Sequence, residues 1–195
     1  MSGELEPALA ALAAGKVIVL SGDRLRGGDI DFAVAAKYAD AAAINFMATH
    51  GRGLICLALT PVHALRLGIG LINPGAARQS GRPHGRSIEA REGVSTGISA
   101  ADRARTIAVA IAPGATSDDL VSPGHVFPLI AAPGGIAERP AALEAAIELT
   151  RRAGVGEAAV LCSIMRDDGE MARIEDVSDL IAAHGLASAD IGALL

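Results

Sequence analysis

Short runs of branched aliphatic residues alternate along the chain with alanine-rich segments of helical spacing. Alternation of this kind is typical of domains in which helices pack on a sheet. Apolar residues make up 51% of the chain and are mostly Ala, Val, Ile and Leu, whereas only 2% of the residues are aromatic. A chain of 195 residues is long enough to bury one full hydrophobic core. The alternation therefore predicts a layered α/β architecture in which helices pack on a sheet, and the length predicts a single domain over residues 1–195.

Composition and charge exclude several classes of function. The net charge is -5 and the chain has one Tyr and no Trp, so it lacks the basic face and the stacking residues that nucleic-acid binding requires. No stretch approaches the ~18 apolar residues of a membrane span. Glu4 and Glu6 stand where a signal peptide would carry positive charge. Cys56 and Cys162 lie in apolar runs, which predicts reduced, buried thiols in a cytoplasmic protein.

Local patterns predict the individual elements. Between residues 30 and 35, Ile, Phe and Val alternate with Asp31 and two alanines, which is the period of a half-buried strand. Asp40 is a helix cap, with Gly51 closing that helix, and Thr60 followed by Pro61 starts another. Further strands are predicted at 17–20, 54–59, 126–131, 158–165 and 170–173, further helices at 5–14, 99–112, 140–153 and 177–184, and a long loop at 68–85.

Three stretches carry a family resemblance: Gly93-Val94-Ser95-Thr96-Gly97-Ile98-Ser99-Ala100-Ala101-Asp102-Arg103-Ala104, Pro123-Gly124-His125-Val126-Phe127-Pro128-Leu129 and Asp167-Asp168-Gly169-Glu170-Met171-Ala172-Arg173. Their order and spacing resemble the 3,4-dihydroxy-2-butanone 4-phosphate synthases of riboflavin biosynthesis, with weaker similarity over about residues 16–185. The resemblance implies an α+β fold, a single layered domain of mixed sheet and helices, in a homodimer with active sites near the interface. It also implies conversion of ribulose 5-phosphate to 3,4-dihydroxy-2-butanone 4-phosphate and formate with the help of magnesium.

The sequence departs from the family at the positions that the resemblance assigns to the metal and to catalysis. Leu25 stands at the position of a metal-binding Glu, Ala142 at that of the His ligand, and Ser163 at that of a catalytic acidic residue. Gly27 replaces a second Glu, and Leu143 a phosphate-contacting Thr. Side chains of Leu and Ala offer no lone pairs to a hard cation. These departures predict that the family's reaction and its metal are lost, so that no cofactor is used.

Other positions of the resemblance are retained. His125 matches a catalytic histidine, and an imidazole is a ready general acid or base; Asp29 and Cys56 are the other candidate catalytic residues. The substrate-binding candidates are Arg24, Thr96, Ser99 and Arg139. The alternatives are ordinary structural roles: a packed thiol for Cys56, and helix caps or turn residues for Thr96 and Ser99. A replacement metal site built from His84, Glu89 and His125 has no support from spacing.

These observations lead to one main hypothesis and two alternatives. The main hypothesis is a repurposed, metal-independent lyase, isomerase or cyclase of a specialised biosynthetic pathway, in which His125 and Asp29 perform acid–base chemistry and Arg24 orients an oxygen. The first alternative is a genuine riboflavin-pathway synthase. The second is a non-catalytic binding or regulatory relative.

Overall fold

The computed structural model describes residues 4–72, 74 and 82–195. Seven strands in this part of the chain form one mixed sheet: β1 (Ile18–Asp23), β2 (Asp29–Ala35), β3 (Cys56–Leu59), β4 (Ile88–Ala90), β5 (Leu120–Ile130), β6 (Ala159–Ser163) and β7 (Ala187–Asp190). The strand order is β4-β5-β3-β6-β2-β1-β7. The β1–β7 and β3–β5 pairs are parallel, and the other pairs are antiparallel.

Helices cover both faces of this sheet. They are α1 (Glu6–Ala13), α2 (Ala41–Gly51), α3 (Pro61–Arg66), α4 (Ala100–Ile111), α5 (Ala142–Arg152) and α6 (Ser178–His184). On one face, Phe32 and Leu57 belong to a core that includes Ile44 of α2 and Ile107 of α4. On the other face, the sheet residues pack against Leu12 of α1 and against α5. The predicted α+β architecture of layered helices and mixed sheet is confirmed.

Helix starts agree with the sequence, but one helix end does not. The Asp40 carboxylate accepts a hydrogen bond from the Ala43 amide at 2.8 Å, and the Thr60 hydroxyl accepts one from the His63 amide at 3.2 Å. Gly51, predicted as the closing residue, is the last residue of α2, and Arg52 takes the left-handed conformation with φ 65°. Glycine is needed at position 51 for a different reason: a Cβ there would lie 2.9 Å from the Cys162 sulfur. The close approach of α2 to β6 therefore fixes this residue.

The strand β2 is buried on both faces and not on one. Asp31, which alternates with the apolar residues of this strand, is fully buried, as is its neighbour Phe32. The half-buried interpretation of residues 30–35 was wrong because helices cover both sides of the sheet. A charged side chain in this position needs partners, and these define the first half of the candidate site.

Two short strands escaped prediction, and β5 is longer than expected. β4 has only three residues and pairs with β5, and β7 pairs with β1 at the other edge of the sheet. The turn at Asp168-Gly169 forms, with a bridge between Met165 and Met171 but no second strand in the described residues. Of the predicted loop at 68–85, residues 73 and 75–81 lie outside the described residues. No described helix has both the length and the apolar character that crossing a membrane requires.

Candidate active site

Strand register brings the candidate residues to one end of the sheet. Asp31 of β2 pairs with Ser163 of β6, while Cys56 of β3 pairs with Phe127 of β5. His125 precedes Phe127 by two residues, so the backbone places both on the same face of β5. Since β5 and β2 are separated by β3 and β6, three strand spacings of ~4.8 Å put Asp31 and His125 roughly 14 Å apart. The candidate residues therefore form two groups.

The first group is centred on the buried carboxylate of Asp31. Arg26 donates to one of its oxygens at 2.5 Å, Arg82 donates to the other, and the Ser163 hydroxyl donates to that second oxygen at 2.9 Å. Burial on its own raises the pKa of Asp31, but the two guanidinium groups more than offset this effect and hold the pKa below its usual value. The carboxylate is therefore ionised and fully paired. We call Asp31, Arg26, Arg82 and Ser163 the Asp31 network.

Asp29 lies at the edge of this network. Its carboxylate contacts Arg26 at 3.3 Å and Arg173 at 2.5 Å, and its side chain is mostly buried. Arg24 lies in the single helical turn before β2 and is exposed, so its side chain is open to a ligand. The Asp29 carboxylate is thus occupied by two arginines, whereas the exposed Arg24 lies five residues before it in the sequence.

The start of α5 joins the same region. Asp23 accepts hydrogen bonds from the amide of Ala142 at 3.0 Å and from the amide of Arg26 at 3.2 Å. Arg139 contacts Glu144 at 3.2 Å. Burial raises the pKa of Glu144, and the Ala132 amide and Arg139 oppose that rise. Arg139 is therefore engaged in this network before any substrate binds.

Cys56 is buried beside the Asp31 network. Its sulfur lies 3.9 Å from Arg82, yet burial outweighs this guanidinium and raises the pKa of the thiol to about 11. A thiol of this kind holds its proton at neutral pH, which favours packing over nucleophilic chemistry. The catalytic role assigned to Cys56 from the sequence stays a prediction.

The second group contains His125. Its Nδ1 lies 2.6 Å from a carboxylate oxygen of Glu89, while 42% of its side-chain surface is exposed. The other oxygen of Glu89 accepts a hydrogen bond from the Thr106 hydroxyl at 3.1 Å, and that hydroxyl accepts one from the Ala90 amide at 3.0 Å. A Cβ at Gly97 would overlap both Glu89 and the His125 ring. Glycine at position 97 therefore leaves room for the pair.

Thr96 and Ser99 lie in the loop before α4 and are exposed. The Ser99 hydroxyl accepts a hydrogen bond from the amide of Asp102 at 3.0 Å, so it caps the helix. The amides of Ser95 and Gly97 donate to the Asp102 carboxylate at 3.1 and 3.0 Å. The Ser95 hydroxyl also donates to this carboxylate at 2.8 Å, and this hydrogen bond, followed by those from the two amides, lowers the pKa of Asp102. The loop amides thus bind an internal carboxylate, and substrate binding by Thr96 and Ser99 stays a prediction.

Several residues of the site were not found from the sequence. Arg26 and Arg82 show no periodic signal, and Asp31 was interpreted as the polar face of a half-buried strand, because the partners of all three come from other segments of the chain. Glu89 was considered together with His125 only in a replacement metal site that spacing did not support, and Thr106, which lies 19 positions from His125 in sequence, was not considered. Ser163, interpreted as a lost carboxylate, is a hydrogen-bond partner of Asp31.

Whether the site can bind a metal ion depends on which side-chain ligands are unoccupied and close together. Among the described residues, no group of three or more His, Cys, Asp or Glu side chains converges where it could hold an ion. Asp23, Asp29 and Asp31 are each bound by amides or arginines. The described side chains of one chain therefore do not fit a metal site by themselves, and no catalytic step below is assigned to a metal.

Comparison with known proteins identifies the relatives. A sequence model of 3,4-dihydroxy-2-butanone 4-phosphate synthase matches residues 6–195. The synthase of Pseudomonas aeruginosa is 44% identical over 93% of this chain and 50% of its own length. The riboflavin biosynthesis protein RibBA of Aquifex aeolicus is 43% identical over 98% of this chain and 48% of its own length. The chain thus spans about half the length of these curated relatives.

Solved structures agree with the sequence comparisons. RibBX of A. baumannii, a two-domain synthase, superposes with a TM-score of 0.90 at 40% identity, covering 98% of this chain and 56% of its own. A synthase in complex with two magnesium ions superposes with a TM-score of 0.90 at 30% identity, covering 97% of this chain and 94% of its own.

These relatives correct two expectations. The main hypothesis of a repurposed enzyme in a specialised pathway was wrong, because proteins 43–44% identical over nearly the whole chain are synthases and riboflavin biosynthesis proteins. The expectation of no cofactor was wrong as well, since a relative was solved with two magnesium ions. The chain belongs to the 3,4-dihydroxy-2-butanone 4-phosphate synthase family.

Proposed function

We propose that the chain is a lyase of riboflavin biosynthesis that converts ribulose 5-phosphate to 3,4-dihydroxy-2-butanone 4-phosphate and formate. The observation that supports this proposal is 43–44% identity, over 93% and 98% of the chain, to curated members of the family. In this reaction one carbon of the five-carbon sugar phosphate leaves as formate, and the other four remain in the product. Protons must move at several carbons and oxygens, which calls for an acid–base group in contact with solvent and substrate.

His125 is the residue best suited to move these protons. Its Nδ1 is engaged by Glu89 at 2.6 Å, whereas its partly exposed ring leaves Nε2 free to exchange a proton with a substrate. The exposed guanidinium of Arg24 is suited to an anionic or carbonyl oxygen of the sugar phosphate. We assign acid–base chemistry to His125, and substrate binding to Arg24 and, through its guanidinium, Arg139. Asp29 remains a candidate for a second proton-transfer group.

A homodimer is part of the proposal. Large apolar side chains near the site are exposed in the single chain: Leu25 at 39%, Leu54 at 54% and Ile98 at 54%. Exposed apolar side chains close to one another favour a protein interface. Light scattering at micromolar concentration should give the mass of two chains. A monomeric mass would contradict this part of the proposal.

Formate release tests the activity directly. The purified protein is incubated with ribulose 5-phosphate, both with added magnesium and with EDTA, and formate is measured with formate dehydrogenase; we expect formate release with magnesium present. His125→Ala should lower the rate ~100-fold or more. His184→Ala is the matched control, because it removes an exposed imidazole from α6, away from β5, and should leave the rate unchanged. Absence of formate under all these conditions would contradict the proposal.

A second candidate is a family member that binds a ligand without turning it over. It is supported by the occupation of every acidic side chain around the Asp31 network by arginines or amides, with apolar Leu25 and Ala142 beside them. This candidate predicts no formate, together with a shift in melting temperature when ribulose 5-phosphate is added. The formate assay therefore separates the two candidates.

A further inference from the structure

Two polar side chains from separate elements, Glu89 and Thr106, extend inward from the ring of His125. Glu89 belongs to β4, His125 to β5, and Thr106 to the middle of α4. Glu89 is 8% exposed and Thr106 is fully buried, whereas the histidine side chain is 42% exposed. The polar contacts thus run from the interior to the surface and end at the imidazole.

The donors and acceptors of this group allow one arrangement when Glu89 is a carboxylate. The Thr106 oxygen accepts from the Ala90 amide at 3.0 Å, so its hydrogen is free to donate to Glu89 at 3.1 Å. A carboxylate has no hydrogen to donate and accepts at both oxygens. The Nδ1 of His125, 2.6 Å from Glu89, must then carry the hydrogen. The lone pair of a neutral imidazole therefore lies on Nε2, on the side away from Glu89.

Packing keeps the three groups in this arrangement. A Cβ at Gly97 would overlap both the Glu89 carboxylate and the imidazole. A Cβ at Gly124, next to the histidine, would overlap the backbone at Ile88 and Glu89. Glycines at these two positions let the loop before α4 and the strand β4 close around the pair. The geometry of the ring is thus set by the backbone as well as by the hydrogen bonds.

We propose that Glu89 is a positioning residue for His125, held in turn by Thr106, and that it fixes the Nδ1–H tautomer so that Nε2 faces the substrate. When Nε2 takes a proton from the substrate, the imidazolium is paired with the Glu89 carboxylate, and the same proton can be returned in a later step. No atom of Glu89 or Thr106 touches the substrate. This role rests on the proposed function, but the tautomer can be measured without any substrate.

Glu89→Gln is the decisive variant because it keeps the shape and reverses a hydrogen bond. The Gln oxygen can still accept from Thr106, and its amide then donates to Nδ1, which moves the ring hydrogen to Nε2. The wrong tautomer at a catalytic histidine costs orders of magnitude in rate. We expect a loss of formate release of ~100-fold or more. Glu92→Gln, an exposed glutamate three residues along the chain, is the matched control and should leave the rate unchanged.

Two further measurements separate positioning from folding and from the activity itself. Two-bond nitrogen–proton correlation spectra of the imidazole should report the Nδ1–H tautomer in the wild type and the Nε2–H tautomer in Glu89→Gln, with or without activity. Thr106→Val should lower the rate ~10-fold, and Thr106→Ser, which restores the hydroxyl, should recover it. An Nε2–H tautomer in the wild type, or an unchanged tautomer in folded Glu89→Gln protein, would overturn the proposal. Absence of formate with the expected tautomers would instead contradict the proposed function alone.

Discussion

Two groups of charged side chains lie at the same end of the sheet and differ in how far water reaches them. In the Asp31 network, the carboxylate is fully buried and the side chains of Arg26 and Arg82 are 9% and 14% exposed. In the second group the Glu89 side chain is 10% exposed, and the His125 ring bonded to it is 42% exposed. The first group pairs every charge inside the protein, and the second leaves one nitrogen open.

This difference in exposure predicts that the first group contributes mainly to stability and the second mainly to the reaction. A carboxylate that is buried between two guanidinium groups is not accessible to a substrate. Removing it would leave the positive charge of the arginines without compensation. A histidine at the surface contributes little to the core, yet it can exchange protons with a ligand. We therefore expect substitutions in the Asp31 network to affect mainly stability, and substitutions at His125 to affect mainly the rate.

The largest expected effect is that of Asp31→Asn on stability. Breaking a buried ion pair by removing one partner costs about 3–5 kcal/mol, since the remaining charges stay buried. We expect the free energy of unfolding, measured by urea denaturation and circular dichroism, to fall by about 3 kcal/mol or more. Asp179→Asn, at an exposed position in α6, is the control and should change little. A small effect at Asp31 would mean that water solvates Arg26 and Arg82 in the folded protein.

Cys56 lies next to the Asp31 network and tests how closed that region is. Burial raises the pKa of Cys56 to about 11 and that of Cys162 to about 12. With a pKa of about 11, roughly 0.1% of the thiol is ionised at pH 8. We expect a disulfide reagent such as DTNB to react with the native protein ~100-fold or more slowly than with the protein in urea. Rapid modification of one thiol in the folded protein would contradict this and would favour a catalytic Cys56.

The sequence predicted structure correctly where the contacts that form an element lie within a few residues of one another. The caps at Asp40 and Thr60 act on amides three residues away, so the pattern alone located the helix starts. The Pro-Gly-His motif also singled out His125 as a candidate, and its catalytic role stays a prediction. Predictions failed where a contact joins segments that are distant in sequence. The Cys162 side chain of β6 leaves room only for glycine at position 51, and Arg26 and Arg82 from two separate loops neutralise the buried Asp31.

The functional hypothesis failed for a related reason. Leu25, Ala142 and Ser163 were judged one position at a time, without their three-dimensional partners. In the structure Ser163 bonds to Asp31, and the Ala142 amide bonds to Asp23, so both belong to one connected network. The 44% identity over 93% of the chain outweighs three substituted positions as evidence for the family. Residues that act together have to be assessed together.

The pH dependence of stability gives a smaller, separate test of the network. Arg82 and Arg26 keep the pKa of Asp31 below its ordinary value although burial opposes them. A carboxyl group with a lowered folded-state pKa contributes stability above its unfolded pKa, and this contribution is lost as the pH falls through the folded value. The difference in unfolding free energy between wild type and Asp31→Asn should therefore persist from pH 7 to about pH 4 and narrow only below it. Narrowing between pH 7 and 5 would contradict the lowered pKa.

The smallest expected effect comes from the same chemical change in an exposed ion pair. Asp167 contacts Arg52 at 2.6 Å, a distance close to that between Asp31 and Arg26, but its side chain is 94% exposed. Water screens both charges and solvates whichever one remains, so exposed pairs contribute roughly 0.2–1 kcal/mol. Asp167→Asn should therefore lower the unfolding free energy by less than about 1 kcal/mol, and 0.5 M salt should remove most of that difference. Urea denaturation of Asp167→Asn and Asp31→Asn, each at low and at high salt, measures the loss of unfolding free energy and its dependence on salt. Equal losses in the two variants would show that burial does not distinguish these carboxylates, and the contrast between the interior and the surface of the site would have to be abandoned.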